Sequence, residues 1–305
     1  MAVHGLTKIT VGVPDVDAAS VFYVDFGLES LGDGRFATTD GGEQLQLVPA
    51  ERRGLHEIGL GADDRDDLER IAASLSAIGA TTSRDGDALR TVDPTTGTAV
   101  TVTIAPRIEM TPISAPMINA PGRTSRVGER ADAVLRDAPV RPRRLSHVVL
   151  GSPDADATHR FFTEGLGFKV SDRIPRVGAF LRCSTDHHNL LVQGAPVPFL
   201  HHTSWMVDDV DEVGRGGARM VAADPARHVW GLGRHHIGSN FFWYLCDPAG
   251  NFAEYASDLD VIVDDELWKP EDISDLRALV SWGPPVPPSF IAPDDLGALM
   301  ATGSR

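Results

Sequence analysis

Residues 231–258 read "GLGRHHIGSNFFWYLCDPAGNFAEYASD" and place two adjacent histidines, a tyrosine and a glutamate in what is otherwise an ordinary pair of strands. Asp247, Pro248, Ala249, Gly250 and Asn251 are the residue types that form tight turns, so the segment reads as a hairpin. With the turn centred on Ala249 and no bulge, Tyr244 and Glu254 are equidistant from it and stand opposite each other on one face. On this turn alone, a phenol beside a carboxylate could equally be a solvent-facing pair.

Comparison of the chain with itself changes that balance. "LTKITVGVPDVDAASVFYVDFGLE" from Leu6 lines up with "LSHVVLGSPDADATHRFFTEGLGFK" from Leu145. Each is an alternating strand, a Pro-Asp helix start and an amphipathic helix with paired aromatics, Phe22-Tyr23 and Phe161-Phe162. "GLHEIGLGADDRDDLERIAASLSAIGA" from Gly54 echoes "FLHHTSWMVDDVDEVGRGGARMV" from Phe199, and "DPTTGTAVTVTIAP" (93–106) echoes the opening hairpin. Four similar strand-helix-strand modules result. Where the first copy has Lys8, Glu57 and Thr101 or Val100, the second has His147, His202 and Glu254. A single strand histidine is more often a packed or surface residue. Two at repeat-related positions, each ending a Leu-x-His, together with a glutamate, make a ligand set held by one copy only.

Length and composition bound the reading. A chain of 305 residues suits two domains. The repeat and the proline-rich stretch between its copies set the boundaries: 1–106 without a metal, a linker at 107–142, a metal-binding catalytic domain at 143–258, and a Trp- and Pro-rich tail at 259–305 packed back on it. With 42% hydrophobic and 23% charged residues the composition is globular, and no apolar run reaches the ~18 residues that span a bilayer. The opening "MAVHGLTKIT" lacks the pattern of a secretory signal, which points to a cytoplasmic protein. A net charge of −15 without a basic stripe argues against nucleic acid as partner. Cys183 and Cys246 are too few for a disulfide framework or a four-thiolate zinc site.

The strands "LSHVVL" and "LHHTSWMVDD", the "GLGRH" loop, the "FWYLCDPAGNFAEY" hairpin and the "SWGPPVPPSF" tail resemble the vicinal oxygen chelate superfamily. More narrowly, they resemble its two-domain extradiol catechol dioxygenases, of the catechol 2,3-dioxygenase kind. The resemblance covers essentially the whole chain. It implies an α+β fold of four βαβββ modules in two tandem domains, each an open, barrel-like mixed sheet, with the metal in the second domain only. The implied ligands are His147, His202 and Glu254, and the implied ion is Fe(II), less often Mn(II). Two imidazoles and a carboxylate on one face of an octahedral ion leave three positions open, the set associated with oxygen-activating non-haem iron.

The implied substrates are a small aromatic diol and dioxygen, in aromatic degradation, and the implied assembly is a homo-oligomer. His188 matches the family's acid-base histidine, while His235 and Tyr244 match the pair that hydrogen-bonds the substrate. Adjacent residues leave His187 against His188 and His235 against His236 open. His201 is expected to point away from His202 by strand alternation. Some relatives place an arginine for a substrate carboxylate where this chain has Trp230, which suggests an aromatic wall instead. Two other readings share the fold: a glyoxalase-like metal-dependent isomerase, which wants a fourth ligand, and a metal-free drug-binding protein, which needs none.

Overall fold

The computed structural model describes residues 2–274 and 279–302. Two eight-stranded mixed sheets carry the architecture. In the first half the strands are β1 (Gly5–Val13), β2 (Glu29–Gly32), β3 (Arg35–Thr38), β4 (Gly42–Pro49), β5 (Gly54–Ala62), β6 (Thr82–Asp85), β7 (Ala88–Val92) and β8 (Ala99–Ile104). Their spatial order is β2-β3-β4-β1-β5-β8-β7-β6. The second half repeats it with β9 (Arg144–Ser152), β10 (Lys169–Ile174), β11 (Gly178–Arg182), β12 (Leu190–Gly194), β13 (Phe199–Met206), β14 (His228–Arg234), β15 (Phe241–Cys246) and β16 (Phe252–Ser257). There the order is β10-β11-β12-β9-β13-β16-β15-β14, so the fold is four βαβββ modules paired two by two.

The helix of each module starts where an aspartate can cap it. Asp15 accepts the amide of Ala18 at the start of α1 (Val16–Asp25), and Asp64 that of Asp67 at α2 (Arg65–Ala77). Asp154 accepts from Ala157 at α3 (Ala155–Arg160), and Asp209 from Glu212 at α4 (Val210–Ala223). Each bond satisfies one of the amides that a helix start leaves without a partner. The paired aromatics then turn into the core in the same way in both copies: Phe22 and Tyr23 meet edge to face at 5.2 Å, and Phe161 and Phe162 at 5.3 Å.

One apolar cluster runs through both halves. Phe26 of the first stacks flat on Tyr255 of the second at 3.9 Å, and the Tyr255 hydroxyl donates to the Phe26 carbonyl at 2.7 Å. The amide of Leu145 donates to Gln44 Oε1 at 2.7 Å, which ties β9 to β4. Residues after Ser257 run back over the second half, with bridges from Val261 to Asp186, Asp272 to Arg173 and Trp282 to Arg234. Phe290 is buried there, whereas Trp282 is half exposed. Residues 275–278 and 303–305 of the tail lie outside the described residues. No helix among the described residues is long and apolar enough to cross a membrane.

Candidate active site

Strand register assembles the site. His147 on β9 pairs with Ser204 on β13, Ser204 with Glu254 on β16, and Glu254 with Tyr244 on β15. Four neighbouring strands thus present one row, His147, Ser204, Glu254 and Tyr244, with small Ser204 between the two larger groups. His202 joins the same face two residues along β13, opposite Val149. The corresponding row of the first half is Lys8, Gly59, Thr101 and Arg90. There Lys8 Nζ donates to Glu43 at 3.1 Å and the Thr101 hydroxyl donates to Glu57. Lysine in place of the first imidazole and threonine in place of the carboxylate leave that face without a ligand set.

His147 Nε2 lies 3.2 Å from His202 Nε2 and 3.2 Å from Glu254 Oε2, and His202 Nε2 lies 3.7 Å from that same oxygen. All three residues are buried, and they are the one group of three or more such ligands within reach of a common ion among the described residues. Ligand atoms about 2 Å from an ion and at right angles to each other stand about 3 Å apart, so this spacing suits three adjacent positions of an octahedron.

The proton arrangement also fits an ion. Burial holds the His202 imidazole well below its ordinary pKa, aided by its histidine neighbours, so it is neutral. His201, pushed down to about 4 by burial, has its Nε2 2.6 Å from the Phe290 carbonyl and must donate there. Its Nδ1 is then an acceptor for the Nδ1–H of His202, 2.8 Å away, which leaves a lone pair on His202 Nε2. Burial pushes the Glu254 carboxyl up, but its interactions with His147 and His235 outweigh that and hold it below its ordinary value. Oε1 accepts from Asn240 Nδ2 at 3.1 Å, while fully buried Oε2 has no hydrogen-bond partner. Lone pairs that converge around an unpartnered buried oxygen repel one another unless a cation sits among them.

A cavity of about 60 Å³ opens beside this cluster, walled by Val149, Phe180, Leu191, Ile237, Leu279 and Phe290. His188, His235 and Tyr244 also line it, whereas His187 is buried behind His188 and His236 is exposed. His188 packs on His147 with ring centres 4.2 Å apart, and burial with the adjoining His147 and His187 rings depresses its pKa strongly. His235 Nδ1 donates to the Leu279 carbonyl, so its Nε2 accepts the Tyr244 hydroxyl at 2.8 Å. Burial and then Glu254 push the Tyr244 phenol well above 10, so it stays protonated.

Two expectations change. His201 does not point away from His202: the β13–β9 register shifts between Leu200 and His202, and this bulge breaks the alternation so that the rings meet edge to face at 5.0 Å. Trp230 does not wall the cavity; it stacks behind Tyr244 at 5.7 Å and donates to the Pro284 carbonyl. Sequence reasoning also missed Asn240, whose one signal was a buried-type amide four residues before Tyr244 on the same hairpin.

The profile of the Glyoxalase/Bleomycin resistance protein/Dioxygenase superfamily matches residues 144–255, the half that holds the cluster. The chain is 34% identical to Metapyrocatechase 2 of Cupriavidus necator over 303 residues, covering 95% of this chain and 92% of that one. It is 32% identical to an iron-dependent extradiol dioxygenase of Rhodococcus jostii over 139 residues, 41% of this chain and 46% of that one. The crystal structure of a Mn(II)-bound glyoxalase from Novosphingobium aromaticivorans superposes with a TM-score of 0.76 at 27% identity, covering 95% of this chain and 94% of that one. With a ligand row in the second copy only, and similarity to a metapyrocatechase along nearly its whole length, the chain belongs to the type I extradiol dioxygenases of the vicinal oxygen chelate superfamily.

Proposed function

We propose that this protein opens the ring of a catechol with dioxygen, and that residues 143–258, covered by the tail from 259, form its catalytic half. The observation that carries the reading is the convergence of His147, His202 and Glu254 beside a cavity lined by three further groups able to hold or move protons. His147, His202 and Glu254 would hold Fe(II), with Mn(II) an alternative the same donors accept. When bound, the ion supplies the electron exchange between catecholate and dioxygen that ring opening requires.

The remaining steps belong to the side chains. His188, neutral through burial, offers a nitrogen that takes a proton from the diol and returns it later. Tyr244 donates to His235, so its oxygen lone pairs face the cavity as acceptors for a substrate hydroxyl. Apolar walls exclude bulk water, which strengthens these bonds. No lysine or arginine lines the cavity among the described residues, so the site suits a neutral, apolar-substituted catechol. Val261, Val263 and Leu267, exposed on the tail, support self-association of copies in a cytoplasmic enzyme.

Protein loaded anaerobically with Fe(II) and then given a catechol and air should release a yellow ring-opened semialdehyde acid. Isomerisation of a glutathione hemithioacetal with no coloured product would replace this reading by the glyoxalase one.

A further inference from the structure

Behind His188 stand a second buried histidine and a carboxylate that the chemistry above does not use. His187 Nε2 is 2.9 Å from Asp172 Oδ2, and His187 Nδ1 is 3.0 Å from His188 Nδ1. A carboxylate only accepts, so His187 carries a proton on Nε2, and the singly protonated ring of that tautomer offers a lone pair at Nδ1. Its contact with His188 is then a hydrogen bond only if His188 carries its own proton on Nδ1. The remaining nitrogen, His188 Nε2, is left as a lone pair on a ring that lines the cavity.

The carboxylate is itself held by the tail. Asp172 Oδ1 accepts the backbone amide of Glu271 at 2.7 Å, and the Trp268 ring packs edge to face on His187 at 5.2 Å while its Nε1 donates to the Ser171 carbonyl. Gly238, at φ +78°, lies against the same ring, where a Cβ would come 3.2 Å from His188 Cε1 and 3.4 Å from its Nδ1. The copy without a ligand row lacks this arrangement. Leu45 pairs with Ile9 as Leu190 pairs with Val148, which sets Glu43 at the place of His188 and Gly42 at the place of His187. A glycine has no side chain with which to accept from its neighbour's or to reach a carboxylate.

We propose that Asp172 and His187 are positioning residues that fix the tautomer and orientation of His188, so that Nε2 meets the substrate as a lone pair. The proposal rests on the acid-base reading of His188 given above. It also gives the tail a part in catalysis, since Glu271 and Trp268 hold the far end of the relay.

The test compares His187→Phe with His187→Asn in the full-length chain loaded with Fe(II). Both lose the bond to Asp172, but the asparagine Oδ1 can stand where Nδ1 stood and accept from His188, whereas phenylalanine only fills space. Expected for His187→Phe is a loss of about 10- to 100-fold in kcat with iron content and KM near wild type, the usual range for an outer partner of a functional histidine. His187→Asn should recover most of that loss. A purely structural role predicts the reverse order, because asparagine leaves the larger void.

Long-range proton–nitrogen spectra of the chain with Zn(II) in place of iron should show His188 protonated on Nδ1 and bare on Nε2. Protonation on Nε2 in the wild type, or equal rates for the two His187 variants, would overturn the proposal. If His188→Phe were slow while His187→Phe kept full rate, the relay alone would fall. If His188→Phe itself turned over normally, the acid-base reading would fall with it.

Discussion

Tyr244 and Glu254 are register partners across the β15–β16 hairpin, and the pairing sets a phenol beside a carboxylate at the mouth of a ligand cluster. Each group also has a partner of its own: Glu254 Oε1 accepts from Asn240, and the Tyr244 hydroxyl donates to His235. The hairpin therefore delivers a ligand on one strand and a substrate-facing acceptor on its neighbour.

Tyr244→Phe isolates that acceptor. The ring contacts with Trp230, His202 and Phe290 survive the change, so iron content should match wild type. Loss of a single neutral hydrogen bond should lower kcat/KM for a catechol about 3- to 10-fold. Unaltered kinetics would remove Tyr244 from the substrate contacts.

His202→Ala or Glu254→Ala should leave almost no bound iron by metal analysis, because each removes one of three converging donors. Glu57→Ala, at the place of His202 in the other copy, should bind iron like the wild type. Full occupancy in His202→Ala would reject the ligand set.

His188→Ala should keep its iron and bind a catechol without air, yet lose roughly 10²- to 10⁴-fold in turnover, the usual contribution of one placed proton donor or acceptor. Loss of iron in that variant would make His188 a ligand instead.

Much of this was legible because strands and repeats are periodic. The Pro-Asp and acidic helix starts became the N-caps, and the comparison of copies singled out His147, His202 and Glu254 because identical modules impose identical register. What stayed hidden depends on departures from periodicity or on groups every residue carries. A bulge turned His201 toward His202. The acceptors that set the tautomers of His201 and His235 are backbone carbonyls of Phe290 and Leu279, which no side-chain type announces. Asp172 reaches His187 only because β10 folds back on β11, a pairing between residues 15 apart in sequence.

Away from the site, Asp209 gives a pH-dependent test. Burial pushes its carboxyl up, but the Arg136 guanidinium and the Glu212 amide outweigh that and hold it below its ordinary value. A depressed carboxylate contributes stability that is present above the unfolded value of about 3.9 and is lost as pH falls through the folded one. Asp209→Asn keeps a competent N-cap and removes the ion pair, so it should cost about 1 kcal/mol at pH 7. In denaturant titrations the deficit should be smaller at a pH below the unfolded value of about 3.9 than at pH 7. A deficit of equal size at both pH values would trace to packing rather than charge.

Phe290 joins the tail to the cavity. Its ring packs at 4.6 Å on Tyr244, 4.8 Å on Trp230 and 4.7 Å on His201, and it forms part of the cavity wall. Phe290→Ala removes a buried ring while leaving the backbone carbonyl that accepts from His201, so the tautomer of His202 and the iron site should persist. The truncation should cost about 3–5 kcal/mol of stability, as buried phenylalanines do. The space it opens lies inside the substrate cavity, so a catechol with a bulkier apolar substituent should gain in kcat/KM relative to unsubstituted catechol. If the ratio of the two stayed at its wild-type value while stability fell, Phe290 would brace the tail without shaping the substrate pocket.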